Sequence, residues 1–385
     1  MQKRPIKSIA EKNRIIGNIV DAIVSREHFL MIGHRNPDDD CIASMVAFSL
    51  ILEKFDKDAR IFLKGPVHEH FQYLLNICKY NSIRIENSLN HGAKLIDTIV
   101  VCDTPKPSMV EKDEVVEKLF KDKDVLVVEF DHHMGADSTY IGHEGYRLVT
   151  EASSAAELIG HLAFKLNRRS DLLSQYQIGD LFSRNVVLAI LTGIIGDSKM
   201  GQLLKSSREK RYYQIFSGIF NNLLARETTK DTNFSNMREL FSELLRLSKK
   251  EETCYNYFLE RKKLSSSIGW VVLKESDIQH LFNTCDGETI VSVARAIADT
   301  LAEESGKISL VVYYDNPSES DLIQFRMRRA QDFKTYDLRN ILDLFDIEDG
   351  GGHEGAIGFR LKKEKLADLD TFIEKLLAGV EQAIR

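Results

Sequence analysis

Apolar and polar positions change period several times along this chain, and each change marks an element. Between residues 8 and 27, Ile15, Ile16, Ile19, Val20 and Ile23 recur at helical spacing and predict an amphipathic helix. Short apolar or β-branched runs follow at Phe29–Ile32, Ala59–Leu63, Ile96–Cys102 and Val125–Glu129, and these read as strands. Between them Ile42–Phe55, a stretch ending near residue 78, and Met109–Phe120 read as helices. This βαβα rhythm predicts a parallel sheet covered on both faces. Ser153–Leu166 and Gln177–Ile195 read as further helices, and residues 206–265, polar and free of proline, as a helical connector or insertion. Beyond Gly269, Trp270–Leu273, Ile308–Tyr314 and Leu322–Met327 read as strands and Thr289–Glu304 as a helix. Leu369, Phe372, Ile373, Leu376, Leu377 and Val380 put one apolar stripe on a last helix. The expected fold class is α/β: a parallel-sheet domain over 1–205, a helical connector over 206–265, and a smaller α/β domain over 266–385.

Composition narrows the classes. A length of 385 residues is enough for two cores. A formal net charge of −6 argues against a grip on long duplex nucleic acid, yet one local basic cluster suffices for a small phosphorylated substrate. No aromatic–basic interleaving of the kind that lines a single-strand channel stands out. Cys41, Cys78, Cys102, Cys254 and Cys285 form no C-x-x-C pair, as expected of reduced thiols in a cytoplasmic protein. Met1–Pro5 leads into a charged stretch without the apolar centre of a signal peptide. The most apolar run, Val186 to Gly196, is shorter than the ~20 residues a membrane helix needs. A soluble, cytoplasmic protein is expected.

Four apolar runs end in a carboxylate or an imidazole: Ile32-Gly33 before His34-Arg35-Asn36-Pro37-Asp38-Asp39-Asp40, Val100–Cys102 before Asp103, Val125–Val128 before Asp131-His132-His133, and Ile194–Gly196 before Asp197. In an open parallel sheet, ligands collect at the carboxyl ends of the strands. Acidic and imidazole groups gathered there repel unless a cation compensates. The segment His34-x-x-x-Asp38-x-Asp40 lies where strand gives way to helix, and Asp103, from another strand, could bridge two ions. Mostly carboxylates, two imidazoles and no thiolate suit Mn²⁺. Two such ions ~3.5–4 Å apart would hold a hydroxide nucleophile and bind phosphate oxygens. Taken singly, an Asp after a strand is a cap or turn residue, and Asp38-Asp39-Asp40 a solvated loop. The joint occurrence is what points to metal. His28, His68, His70, His91, His143, His161 and His280 lack a partner pattern and read as structural; Cys41 and Cys102 read as packing residues facing away.

These motifs, in this order, resemble the DHH phosphoesterase superfamily. Near the C-terminus, Gly350-Gly351-Gly352-His353 resembles the glycine-rich signature of its companion substrate-binding domain, and Arg326-Met327-Arg328 the arginine segment that goes with it. On the residues alone, the glycine run would equally serve as a turn before a strand at Ala356–Leu361. The resemblance implies a hydrolase with two Mn²⁺, or Mg²⁺ or Co²⁺ in their place, and a site in the cleft between domains. His34 and Asp38 would bind one ion; Asp40, His132 and Asp197 the other; Asp103 would bridge. Asp131 would orient His132 from behind, and His133 would face the substrate phosphate. Arg326 and Arg328 would hold a phosphate through forked donors, while Gly350, Gly351 and Gly352 would let backbone approach one closely, with His353 beside it. Asp39 departs from the small residue usual at its position, Met327 from a small polar one, and Ser198-Lys199-Met200 from Thr-Gly.

The substrate class that follows is a short phosphorylated nucleotide: a linear di- or oligoribonucleotide, or adenosine 3′,5′-bisphosphate. A cyclic dinucleotide stands beside it as the alternative. Hydrolysis of pyrophosphate or polyphosphate is disfavoured by the glycine-rich tail, and a non-catalytic binding module by the complete ligand set. The sequence leaves room for a homodimer and implies no membrane partner.

Overall fold

The computed structural model describes residues 1–65, 67–89, 93–135, 137–201, 203–204, 206–224, 237–244, 247–330, 332–366 and 368–384. They divide into two compact units, Met1–Arg246 and Leu247–Arg385. In the first unit, strands β1 (His28–Ile32), β2 (Asp58–Phe62), β3 (Arg84–Glu86), β4 (Thr98–Cys102), β5 (Leu126–Asp131) and β6 (Arg147–Val149) alternate with helices α1 (Ile9–Ser25), α2 (Asp39–Lys54), α3 (Gln72–Tyr80) and α4 (Glu114–Lys121). Helices α5 (Ala155–Leu166), α6 (Ser170–Gln175), α7 (Arg184–Ser198), α8 (Ser207–Leu224) and α9 (Met237–Leu244) follow.

The strands form one six-stranded sheet in the order β3-β2-β1-β4-β5-β6. Every pair in it is parallel. The two central strands, β1 and β4, run apolar almost throughout because both sheet faces are covered. One face packs on a core containing Phe48, Phe130, Leu158 and Ile190; the other on Leu30, Ile99, Val116 and Val127. Three boundaries differ from the sequence expectation. Met109 lies in a short 3-10 turn before α4, since Asp113 caps that helix by accepting from Val115 and Val116. The helix expected over Gln177–Ile195 starts only at Arg184 and runs on to Ser198, which takes in Asp197. Strands β3 and β6, three residues each, are too short to leave an alternating pattern.

The second unit holds α10 (Lys249–Leu259), β7 (Lys263–Leu264), β8 (Ile268–Val272), α11 (Glu275–Leu281), α12 (Gly287–Ser305), β9 (Ile308–Tyr314), β10 (Leu322–Arg329), α13 (Arg339–Leu344), β11 (Gly350–His353), β12 (Ala356–Lys362) and α14 (Leu369–Ala383). Its sheet runs β11-β12-β10-β9-β8-β7 and is antiparallel except between β8 and β9. Residues 206–265, expected as a connector, are shared out: α8 packs on α7 and α10 on α12. The glycine run is a strand, not a turn: β11 pairs with β12 in the register Gly351↔Gly358. Gly352 has φ +146, and a Cβ there would lie 2.1 Å from the Ala356 carbonyl oxygen, so the hairpin admits only glycine at that point.

Candidate metal centre

β1, β4 and β5 end side by side, and each delivers one part of the centre. After β1, His34 forms an isolated bridge with Val110, and its Nδ1 bonds to the Arg35 carbonyl at 2.8 Å. That leaves Nε2 pointing at Asp38 (3.6 Å) and Asp103 (3.7 Å). Asp38 is the N-cap of α2 and accepts from the Cys41 amide at 3.1 Å. Asp103 follows β4 with φ +47, a left-handed conformation that Asp tolerates better than most residues. At the end of β5, His132 Nδ1 bonds to the Ala152 carbonyl at 3.2 Å. Its Nε2 lies 3.1 Å from Asp197, 3.3 Å from Asp103 and 3.8 Å from Asp40.

The fold brings His34, Asp38, Asp40, Asp103, His132 and Asp197 together, from two kinds of element. Asp197 comes from the last turn of α7 and not from a strand end. Asp40 is fully buried, held by the Ala155 and Ala156 amides at 2.5 and 2.9 Å and by the Ser44 hydroxyl at 3.2 Å. Those amides are the N-terminus of α5, a natural anion seat. Gly193 on α7 permits the approach, because a Cβ there would stand 2.5 Å from Asp40 Oδ1.

Electrostatics mark the centre as built for cations. Burial, with repulsion from Asp103 and Asp197, pushes the Asp40 carboxyl well above its usual range. Burial and Asp38 raise Asp103 in spite of its contact with His132. Burial disfavours charge on His132, but Asp103 and Asp197 override it and raise the imidazole well above its ordinary value. His34 is pushed up to about 12: burial opposes its charge, and Asp38 and Cys41 outweigh that. With each Nδ1 donating to a carbonyl, each Nε2 turns its lone pair on carboxylates, an arrangement that asks for a proton or a metal ion. Asp103 Oδ1 is buried and accepts no well-aligned hydrogen bond. Close ligand atoms fall into the groups Asp40–His132–Asp197, Asp103–His132–His133 and His34–Cys41–Asp103. These donors fit divalent ions.

Cys41 corrects the expectation that it faces away. It is buried beside His34, and burial pushes its thiol up to about 12. His70, read as structural from sequence, brings Nε2 to 3.3 Å from Asp39; no spacing signal connects the two positions. Ser153-Ser154 before α5 could have been recognised as a helix cap, since Ser154 accepts from the Glu157 amide at 3.0 Å. Asp131, expected behind His132, stands instead 2.8 Å from His133 Nδ1, because the Ala152 carbonyl already takes His132 Nδ1; His133 Nδ1 also lies 3.4 Å from Asp103.

In the second unit, Arg326 and Arg328 leave β10 on one face while Phe325 and Met327 enter the core on the other. Arg326 Nε donates to the Tyr313 hydroxyl at 3.0 Å, and Arg328 Nε lies 3.2 Å from Asp299 of α12. Gly358 neighbours Arg326 on the adjacent strand, with Gly351 beyond it. The side chain of His353 and the whole of His91 lie outside the described residues.

Residues 28–194 match the DHH family, N-terminal domain. This part of the chain is a DHH-family domain. Over 204 residues the chain is 29% identical to the cyclic-di-AMP phosphodiesterase PdeA of Listeria monocytogenes, and over 203 residues 27% identical to the cyclic-di-AMP phosphodiesterase GdpP of Bacillus subtilis. Each match takes in 51% of this chain and 28% of the relative, so the chain aligns with little more than a quarter of either. An exopolyphosphatase-related protein from Bacteroides fragilis superposes with a TM-score of 0.63 at 18% identity, over 97% of this chain and 96% of that one. That likeness is one of fold. No helix among the described residues is long and apolar enough to cross a membrane.

Proposed function

We propose that this protein is a manganese-dependent phosphoesterase of short nucleotides, cleaving the diester of a dinucleotide or a monoester of a nucleoside bisphosphate. The observation that carries the reading is the convergence of His34, Asp38, Asp40, His132 and Asp197 around Asp103. His34 and Asp38 would hold one ion, Asp40, His132 and Asp197 a second, with Asp103 shared between them. When bound, such ions lower the pKa of a water and draw charge from phosphate oxygens. The chain's own residues do the rest. The carbonyl bonds at Nδ1 fix the tautomers of His34 and His132. Asp131 orients His133 through Nδ1, and the far nitrogen, when the ring is protonated, would donate to a phosphate oxygen or to the leaving group. Arg326 and Arg328 supply forked donors for a second phosphate, and Gly351 and Gly352 a backbone surface without side chains.

Linear dinucleotides and adenosine 3′,5′-bisphosphate are the leading substrates. A cyclic dinucleotide is the second reading, favoured by the activity in the names of PdeA and GdpP. The test is turnover of a panel comprising a cyclic dinucleotide, a linear dinucleotide, a nucleoside bisphosphate, pyrophosphate and polyphosphate, with Mn²⁺, Mg²⁺ or Co²⁺ and an Asp103→Ala control. Mononucleotide release from a dinucleotide supports the proposal. Turnover of pyrophosphate alone, or of nothing, rejects it.

A further inference from the structure

Glu129 and Asp131 stand two residues apart on β5, so their side chains leave the same face of the sheet. Both are fully buried. Two carboxylates so placed repel strongly and need a cation. Lys3 supplies it. Its Nζ lies 2.8 Å from Glu129 Oε1 and 2.6 Å from Asp131 Oδ2, and donates to the Thr104 carbonyl at 2.7 Å. Lys3 itself is only 3% exposed. The backbone that carries it is pinned: the Lys3 amide donates to the Ser138 carbonyl, the Tyr140 amide to the Met1 carbonyl, and the Tyr140 hydroxyl to the Arg4 carbonyl, each at 3.0 Å.

The placement reaches the centre by two routes. Asp131 Oδ2 is engaged by Lys3 and also accepts from the His133 amide at 3.2 Å, and Oδ1 faces His133 Nδ1. Thr104, the second contact, directly follows Asp103, so the same ammonium also ties down the loop that carries the shared carboxylate. Glu129 has other anchors, since its Oε2 accepts from the Ile141 and Gly142 amides at 3.0 and 2.8 Å. Asp131 has Lys3 as its one cationic contact among the described residues apart from His133.

We propose that Lys3 is a positioning residue: its ammonium fixes Asp131 in the orientation that holds His133 as the Nδ1–H tautomer, with Nε2 turned toward substrate. Its kinetic consequence rests on the phosphoesterase reading above; the tautomer does not. A lysine needed only to neutralise buried charge would behave differently once that charge is removed.

The experiment compares full-length Lys3→Met, Lys3→Met/Glu129→Gln and Lys3→Arg with the parent. The single methionine variant leaves two buried carboxylates uncompensated and can fail to fold. The double variant loses one charge of each sign and keeps the balance. Ring-¹⁵N histidine spectra at one fixed neutral pH, with His133→Asn to assign the signal, report the tautomer without metal or substrate. Expected in the folded double variant are loss of the Nδ1–H signature of His133 and a fall of about 10–100-fold in kcat, with KM unchanged. Lys3→Arg should restore both toward the parent. A folded double variant with the parent's tautomer overturns the proposal, as does one with the parent's kcat. If the parent turns over nothing, the phosphoesterase reading fails, and the tautomer alone decides the role of Lys3.

Discussion

His132 Nε2 stands 3.1 Å from Asp197 Oδ2, although one follows a strand and the other ends a helix 65 residues further along the chain. The pair closes a ring of carboxylates around two imidazoles whose other nitrogens are already committed to backbone carbonyls. Concentrated charge of this kind raises the cost of the metal-free fold and is relieved by a cation.

Asp103 is the residue on which both halves of the centre depend. If Asp103 bridges two ions as proposed, Asp103→Asn should lower turnover by several orders of magnitude, because each ion would lose a ligand. It should also raise the melting temperature of the metal-free protein, since a neutral amide replaces a buried carboxyl that burial and Asp38 already disfavour as an anion. Thermal unfolding with and without Mn²⁺ checks both halves. The parent gains stability from the ion by mass action and the variant does not.

Stability of the metal-free protein should fall with rising pH across a wide alkaline range. His34 titrates near 6.5 when unfolded and at about 12 when folded, so the folded state holds the extra proton between those values. Its contribution is complete below the unfolded value and is lost as pH rises through the folded one. His132, also raised, adds in the same direction. Mn²⁺ held by these imidazoles would compete with the protons, so its binding at mildly alkaline pH should release them and tighten as pH rises. Calorimetry in two buffers of different ionisation enthalpy counts the protons; no release would contradict the assignment of these imidazoles as ligands.

Gly193→Ala tests the seat of Asp40. The new Cβ would meet Asp40 Oδ1 at 2.5 Å and Ala156 Cβ at 2.6 Å, so α2 and α7 must part. Overpacking of this kind costs about 1–3 kcal/mol. Weaker Mn²⁺ binding should accompany the lower denaturation midpoint.

Arg326→Ala should act on binding and not on chemistry. Its guanidinium is oriented by Tyr313 and carries no carboxylate partner among the described residues, whereas Arg328 is paired with Asp299. KM for a dinucleotide should rise about tenfold or more while kcat holds, in line with the ~1.5–3 kcal/mol of a charged hydrogen bond. A fall in kcat alone would place Arg326 elsewhere in the reaction.

Much of this protein is written locally. Helix period gave α1 almost to the residue, and the apolar runs before His34, Asp103 and Asp131 placed the three strand ends of the centre, because burial on both faces of a parallel sheet demands such runs. The joint occurrence of Asp and His after apolar runs picked out the candidate ligands, and the family resemblance sorted them into sets. Other features have no local signature. His70 beside Asp39, Cys41 beside His34, and Lys3 beneath Asp131 depend on side chains meeting across the fold. The glycine run carries no side-chain pattern, so only its pairing with Phe359, Gly358 and Ile357 makes it a strand. Sequence fixes what each element is and which chemistry it brings, through short-range sterics and the period of burial. Which groups touch, and hence which charges must be compensated, is decided only when elements distant in the chain pack together.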